Sequence, residues 1–223
     1  MEDKKNVSQN SVVLLPTVGS SYGNGWRQLW KYFLELFLIG IIALVIGLPS
    51  AIDQGSQGVT VLGVFALAYG ILIAGPVDYG VAFAYLKGAR GDKPEIKDMF
   101  EAFRNYWNVV LADVLVGAIV VIGLVLLIIP GIIFACKLAF VPYLVVEWKM
   151  EAIEAVKTSW RMTNGHAWKI FLIGLLAIPI SIAGFICLGV GIIVAVMWVS
   201  LAVASFYHTV SLASRASLQE RVL

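Results

Sequence analysis

The sequence predicts an all-α, polytopic membrane protein with six transmembrane helices arranged as three hairpins, and three observations predict it. Of 223 residues, 60% are hydrophobic and only 13% are charged, against roughly 25% charged in an ordinary soluble domain. The apolar residues form six runs, 29–49, 59–86, 108–129, 131–148, 168–188 and 190–213, most of them near the length of about 20 residues that crosses a bilayer. The basic residues fall on alternate connections between these runs.

Each run is apolar on every face, which excludes the alternating strands of a membrane barrel. Backbone in hydrocarbon must satisfy its own hydrogen bonds, so the runs are expected to be helices. Residues 1–25 are polar, place Lys4 and Lys5 far from the first apolar run and lack a small-residue cleavage pattern. They are expected to be a mobile cytoplasmic tail, not a secretory signal. The domain organisation follows as this tail, a single transmembrane domain over 26–213 and a cytoplasmic C-terminal end over 214–223.

Orientation comes from Lys and Arg. Lys4, Lys5, Arg27 and Lys31 precede or begin the first span. Lys87, Arg90, Lys93, Lys97 and Arg104 lie between the second and third. Lys149, Lys157, Arg161 and Lys169 lie between the fourth and fifth, and Arg215 and Arg221 follow the sixth. Of 16 basic residues only Lys137 stands elsewhere, so this side is expected to be cytoplasmic, with both ends inside. The opposite connections are short: residues 50–58, IIPG at 128–131 and LGVG at 188–191. Pro and Gly there are expected to end one helix and turn the chain back.

The basic side carries amphipathic segments. In 95–107, Ile96, Met99, Phe100, Phe103 and Trp107 recur at helical spacing, with Lys97, Asp98, Glu101 and Arg104 between them. In 150–163, Met150, Ile153, Val156 and Trp160 alternate with Glu151, Glu154, Lys157 and Arg161, and Trp26, Leu29, Trp30 and Phe33 give a shorter version. These patterns predict interfacial helices, anchored by Trp26, Trp30, Phe103, Trp107, Trp160 and Trp168 at headgroup level. An interfacial helix followed by a hairpin thus recurs three times. GII at 131–133 and 191–193 begins two returning spans.

The stretch 128–169 reads IIPGIIFACKLAFVPYLVVEWKMEAIEAVKTSWRMTNGHAWK. Its Pro-Gly turn, single basic residue, exit acid, Glu154-Ala155 through Ser159-Trp160, Asn164-Gly165 and Trp-Lys start of the next span resemble a bacterial six-span membrane-protein superfamily. That superfamily includes the membrane domain of membrane-anchored glycerophosphoryl diester phosphodiesterases and many stand-alone members. The resemblance covers 26–213 by layout and 95–200 by specific residues. It implies the fold and a bacterial cytoplasmic (inner) membrane. It does not imply diesterase activity, which in the anchored enzymes belongs to a separate soluble barrel that these 223 residues are not expected to hold.

Ionisable residues inside spans are the candidate intramembrane polar site: Lys137, Asp113, Asp78 and Glu35, with Ser181 as a hydrogen-bond partner. Lys137 is expected about 9 Å below the outer end of its span. From there its side chain either snorkels to the outer headgroups or serves a substrate, ion or lipid phosphate. Glu35, Asp78 and Asp113 fall in the inner third of their spans. They form an acidic layer, or else are satisfied locally: Glu35 by Lys31, Asp78 at the Gly75-Pro76 kink, Asp113 by Arg104 or Asn108. Pro76, Pro142 and Pro179 are expected to kink three spans. Ala66, Gly70 and Ala74 form a small-residue packing face. Cys136 and Cys187 are expected as apolar fillers.

No phosphate-cradling GxxxxGK[ST], HExxH or Cys/His cluster is present in the sequence, so neither catalytic residues, metal nor cofactor is expected. The expected partners are anionic lipids of the cytoplasmic leaflet and a protein docking on the interfacial helices; nucleic acid is not needed to explain the basic face. Three functions stay open: a non-catalytic scaffold, lipid-interacting or accessory subunit; a small transporter or channel with Lys137 and the acids along its route; and a lipid-acting membrane enzyme.

Overall fold

The computed structural model describes residues 16–51, 61–186 and 190–220, with side chains over 16–49, 61–186 and 191–214. Most of the 50–58 connection, Cys187, Gly189, residues 1–15 and the side chains of Arg215 and Arg221 lie outside the described residues. The described chain is helical throughout: α1 Val18–Lys31, α2 Phe33–Ala51, α3 Val61–Tyr69, a π-helical turn Gly70–Ala74, α4 Gly75–Arg90, a 3-10 helix Ile96–Asn105, α5 Tyr106–Leu126, α6 Ile128–Leu138, α7 Val141–Glu147, α8 Ala152–Met162, α9 Ala167–Ile186 and α10 Val190–Glu220. Five continuous helical stretches are long and apolar enough to cross a membrane, and α1 with α2 would make a sixth if the bent pair is counted as one.

The first apolar run, 29–49, is not one straight helix. Leu29–Lys31 belong to α1, which meets α2 at 95° across Tyr32. The helix α1 begins at Val18, inside the segment expected as tail. Thr17 caps it by accepting from the Ser20 N–H, and Ser21, Tyr22, Asn24 and Gly25 are buried against the body. Gly25 lets α1 approach α10 closely, since a Cβ there would make a tight contact 3.2 Å from the backbone nitrogen of Ala202. At the other end α10 runs through residue 213 to Glu220, so no structural break separates the expected C-terminal end.

Pro76 acts through the turn before it. A proline removes the N–H that the carbonyl four residues earlier would accept and crowds that carbonyl. The chain widens to a π-helical turn over Gly70–Ala74, with Gly75 N–H bonded to Gly70 O. The freed carbonyl of Leu72 accepts from the Tyr106 hydroxyl at 2.9 Å. Pro142 sits in the first turn of α7, just after the break at Ala139–Phe140. The helix α9 continues through Pro179.

The turn expected at Pro130-Gly131 lies instead at Leu127, the one extended residue between α5 and α6. Pro130 is in the first turn of α6, where its missing N–H costs nothing. Small residues close both described hairpins. A Cβ on Gly131 would lie 2.5 Å from the Leu124 side chain, and one on Gly184 would lie 2.6 Å from Gly191 O. The glycines recurring at 131 and 191 are therefore matched contact points of α5 with α6 and α9 with α10.

The amphipathic segment expected as an α-helix at 95–107 is a 3-10 helix that packs along α4. Its backbone at Met99 lies against Gly80, where no Cβ would fit. Glu95 and Asp98 form a capping box at its start, and Asp98 also pairs with Lys87 at 2.8 Å. The segment 150–163 forms α8, which lies beside α7 and α5. The core gathers where α1, α4, α7 and α10 meet, around Leu29, Leu86, Phe140, Leu144, Phe206 and Tyr207. The remote parts of α3, α5, α6 and α9 expose Phe65, Val125, Ile129 and Phe185, as helices solvated by lipid do.

Candidate functional site

Lys137 does not extend toward the turn at Leu127. Its Nζ donates to Asn164 Oδ1 at 2.8 Å and lies 5.2 Å from the centre of the Trp160 ring. Its backbone carbonyl, in the last turn of α6, accepts from Ser159 Oγ at 2.8 Å and Thr163 Oγ1 at 3.2 Å. Carbonyls in the last turn of a helix lack intrahelical partners, and α8 supplies them. No hydrogen bond joins Lys137 to Ser181, which is half-buried in α9. Where the sequence left open snorkelling or a ligand for Lys137, α8 supplies an aromatic face at Trp160 and the turn after it an acceptor at Asn164. Ser159, Trp160 and Asn164 of the 128–169 pattern, with Thr163, are thus the residues that hold Lys137.

The acidic layer divides. Glu35 pairs with Lys93 at 3.3 Å, not with Lys31. The bend at Tyr32 takes Lys31 off the α2 face, and its Nζ points to Gly91 O. Arg104 pairs with Glu101, and Asn108 bonds Asn105, so neither reaches Asp113. Asp113 instead lies against Gly75, where a Cβ would stand 2.5 Å from its Oδ2, and it is within electrostatic reach of Asp78. Asp78 lines a cleft of about 670 Å³ between α2, α4, α7 and α10. Tyr85 and Tyr143 line the same cleft; Lys137 does not.

A second polar cluster was not expected. Arg90 of α4 pairs with Glu147 of α7 at 2.6 Å, and the Tyr207 hydroxyl of α10 donates to the other carboxylate oxygen at 3.0 Å. Arg90 Nε donates to His208 Nδ1 at 3.3 Å, which leaves that nitrogen without a proton. Nearby, Asn24 of α1 donates to Ala89 O and Ser205 Oγ. These bonds tie α1, α4, α7 and α10 at the centre of the core. The available signal was two opposite charges, Arg90 and Glu147, at the same ends of different spans.

The expected anchors remain at the surface. Trp30, Trp107 and Trp168 are 58%, 72% and 68% exposed, and Trp26, Phe103 and Trp160 are also exposed. Among the described residues no group of three His, Cys, Asp or Glu side chains is placed to hold a metal ion. Cys136 is a half-buried free thiol.

These features define an all-helical architecture of the multi-pass membrane type, with several helices able to cross a bilayer. Residues 114–214 match a family model described as Protein of unknown function (DUF975). The matched region runs from α5 to α10 and so contains Lys137 with its α8 partners, Glu147, Tyr207 and His208, while Asp78 and Arg90 lie before it. The match gives no link to glycerophosphoryl diester phosphodiesterase membrane domains. No curated protein and no solved structure matches the chain.

Proposed function

We infer that the chain is a non-catalytic integral protein of a bacterial cytoplasmic membrane, with both ends inside, that acts as a lipid-contacting scaffold or accessory subunit. The observation carrying this reading is the construction of α1, the 3-10 helix and α8. Each is amphipathic, each belongs to a basic segment, and each leaves apolar or aromatic residues exposed: Trp26 and Trp30, Phe100 and Phe103, Ile153 and Trp160. Exposed aromatics beside Lys and Arg suit the interface of an anionic leaflet, where each basic residue near the surface contributes about 1 kcal/mol. The resemblance of 128–169 to the phosphodiesterase membrane domains supports the bacterial membrane and adds no catalytic role.

Transport along a route lined jointly by Lys137 and the acids draws less support, because Lys137 is held by α8 while Asp78 faces the cleft. A membrane-embedded lipid enzyme would need acid and base groups converging at one headgroup, which the Arg90–Glu147–Tyr207 cluster, bonded within the core, does not offer.

The test is reconstitution of the full chain in nanodiscs of phosphatidylcholine with and without phosphatidylglycerol, followed by native mass spectrometry and cysteine labelling from outside intact cells. Retained phosphatidylglycerol, with a cysteine at Lys157 protected and one in 50–58 labelled, is the expected result. Labelling of position 157 from outside, or no preference for anionic lipid, would overturn it.

A further inference from the structure

We propose that the cleft between α2, α4, α7 and α10 is a binding site for a hydrophobic organic ammonium ion, with Asp78 as its counter-ion and the Tyr85 and Tyr143 hydroxyls as its hydrogen-bond partners. This adds a ligand class to the scaffold reading and does not depend on it.

The cleft's volume, about 670 Å³, is that of a small-molecule site. Its wall is apolar, with Leu44, Val81, Ile192, Val196 and Met197 among the lining residues, and no Lys, Arg or His lines it. Asp78 is its only charged lining residue, is accessible from it and makes no ion pair with any described residue. A second carboxylate, Asp113, acts electrostatically on Asp78. Two carboxylates with no cation among the described residues, in a region of low dielectric, favour a positive guest.

The second observation is independent of the acids. Tyr22, Tyr32, Tyr69, Tyr106 and Tyr207 each donate their hydroxyl to a carbonyl or carboxylate. Tyr79, Tyr85 and Tyr143, 5%, 3% and 5% exposed, make no side-chain hydrogen bond to any described residue, and of these Tyr85 and Tyr143 line the cleft. Neither of those two hydroxyl oxygens is a fully buried atom left without a partner, so each keeps open surface on the cleft that it lines. Gly40 lies beside one of them: a Cβ there would make an ordinary van der Waals contact, 3.5 Å from the Tyr85 hydroxyl oxygen. Two phenol oxygens able to accept N–H bonds, tyrosine rings able to face a cation, one carboxylate and an apolar wall together match a protonated hydrophobic amine. An anion would meet Asp78. A neutral lipid tail would leave the carboxylate and both hydroxyls without partners.

The probe is 9-aminoacridine, a fluorescent monocation at neutral pH, compared with acridine, which is neutral there. Binding is followed by fluorescence anisotropy with the full chain in phosphatidylcholine nanodiscs, with empty nanodiscs subtracted. Saturable binding of one 9-aminoacridine per chain is expected, at least ten-fold tighter than acridine. Asp78→Asn should remove that preference, Tyr85→Phe should weaken binding several-fold, and Ala82→Phe, which fills the cleft and keeps every charge, should abolish it. Trp168→Ala, away from the cleft, should bind as the wild type. Variants are compared only where they elute and melt like the wild type, and Ala82→Phe carries the test if Asp78→Asn does not fold. Binding no greater than to empty nanodiscs, equal binding of the two dyes, or full binding by Asp78→Asn or Ala82→Phe would overturn the proposal.

Discussion

The Tyr106 hydroxyl donates to the carbonyl of Leu72 at 2.9 Å, four positions before Pro76. A residue at the start of α5 thereby satisfies a carbonyl that a proline in α4 leaves without its helical donor, and the two spans are fixed to one another at the π-helical turn. Tyr106→Phe removes the donor and leaves the ring in place. An unsatisfied carbonyl costs about 1–3 kcal/mol in a protein interior, and single hydrogen bonds in membrane bundles average about 0.6 kcal/mol. Loss of about 1 kcal/mol is expected in reversible unfolding with a denaturing detergent. A variant carrying Pro76→Ala as well should lose less from Tyr106→Phe, since the helix then supplies its own donor; equal losses in both backgrounds would refute the link.

Lys137 makes a different prediction on each side of its Cα. Its carbonyl is held by Ser159 and Thr163, and its ammonium by Asn164 and Trp160. The paired change Ser159→Ala with Thr163→Val strips both hydroxyl donors and should cost about 1–3 kcal/mol. Lys137→Met keeps the carbonyl contacts and much of the side-chain length, so it should cost under about 1 kcal/mol, as expected for an exposed hydrogen bond and one cation–π contact. Thermal unfolding in detergent separates the two. A larger loss from Lys137→Met would assign the ammonium a role that the α8 clamp does not describe.

Glu147 is mostly buried, with its side chain 14% exposed, between Arg90 and Tyr207. Glu147→Gln keeps the shape and leaves the guanidinium without its counter-charge. Removing one partner of a buried pair costs about 3–5 kcal/mol, and the partial exposure of Arg90, 22%, favours the lower end. Replacing both, Arg90→Met with Glu147→Gln, should recover part of the loss. A double-mutant cycle in unfolding free energy checks this, and additive losses would show that the two side chains do not act as a pair.

Helical class, the amphipathic segments and the surface aromatics were legible because they depend on periodicity and composition. Trp107 and Trp168 stand exposed at the starts of α5 and α9, and Trp30 stands exposed in the last turn of α1, just before the bend into α2. Depth was not legible. Counting residues along straight, upright helices ignores the 95° bend at Tyr32, the π-helical turn at Gly70–Ala74 and the break at Ala139–Phe140. Those departures move Lys31 away from Glu35 and let α8 lie beside Lys137. Partner choice between distant segments, such as Glu35 with Lys93 or Arg90 with Glu147, depends on how helices cross, and a single sequence carries no record of crossing angles.

Two glycines in adjoining helices should respond in opposite ways to the same change. Gly80 in α4 lies against the Met99 backbone of the 3-10 helix, and an added Cβ would overlap it. Backbone cannot rotate aside as a side chain can, so Gly80→Ala must separate the 3-10 helix from α4 and disturb the Lys87–Asp98 pair at 2.8 Å. Overpacking of this kind costs about 1–3 kcal/mol. Gly117 in α5 has nothing within 4 Å of its would-be Cβ. Gly117→Ala should be neutral or stabilise by up to about 1 kcal/mol through helix propensity. Parallel thermal melts of the two variants decide the matter. A melting point for Gly80→Ala equal to that of Gly117→Ala would mean that the 3-10 helix does not rest on α4 at Gly80.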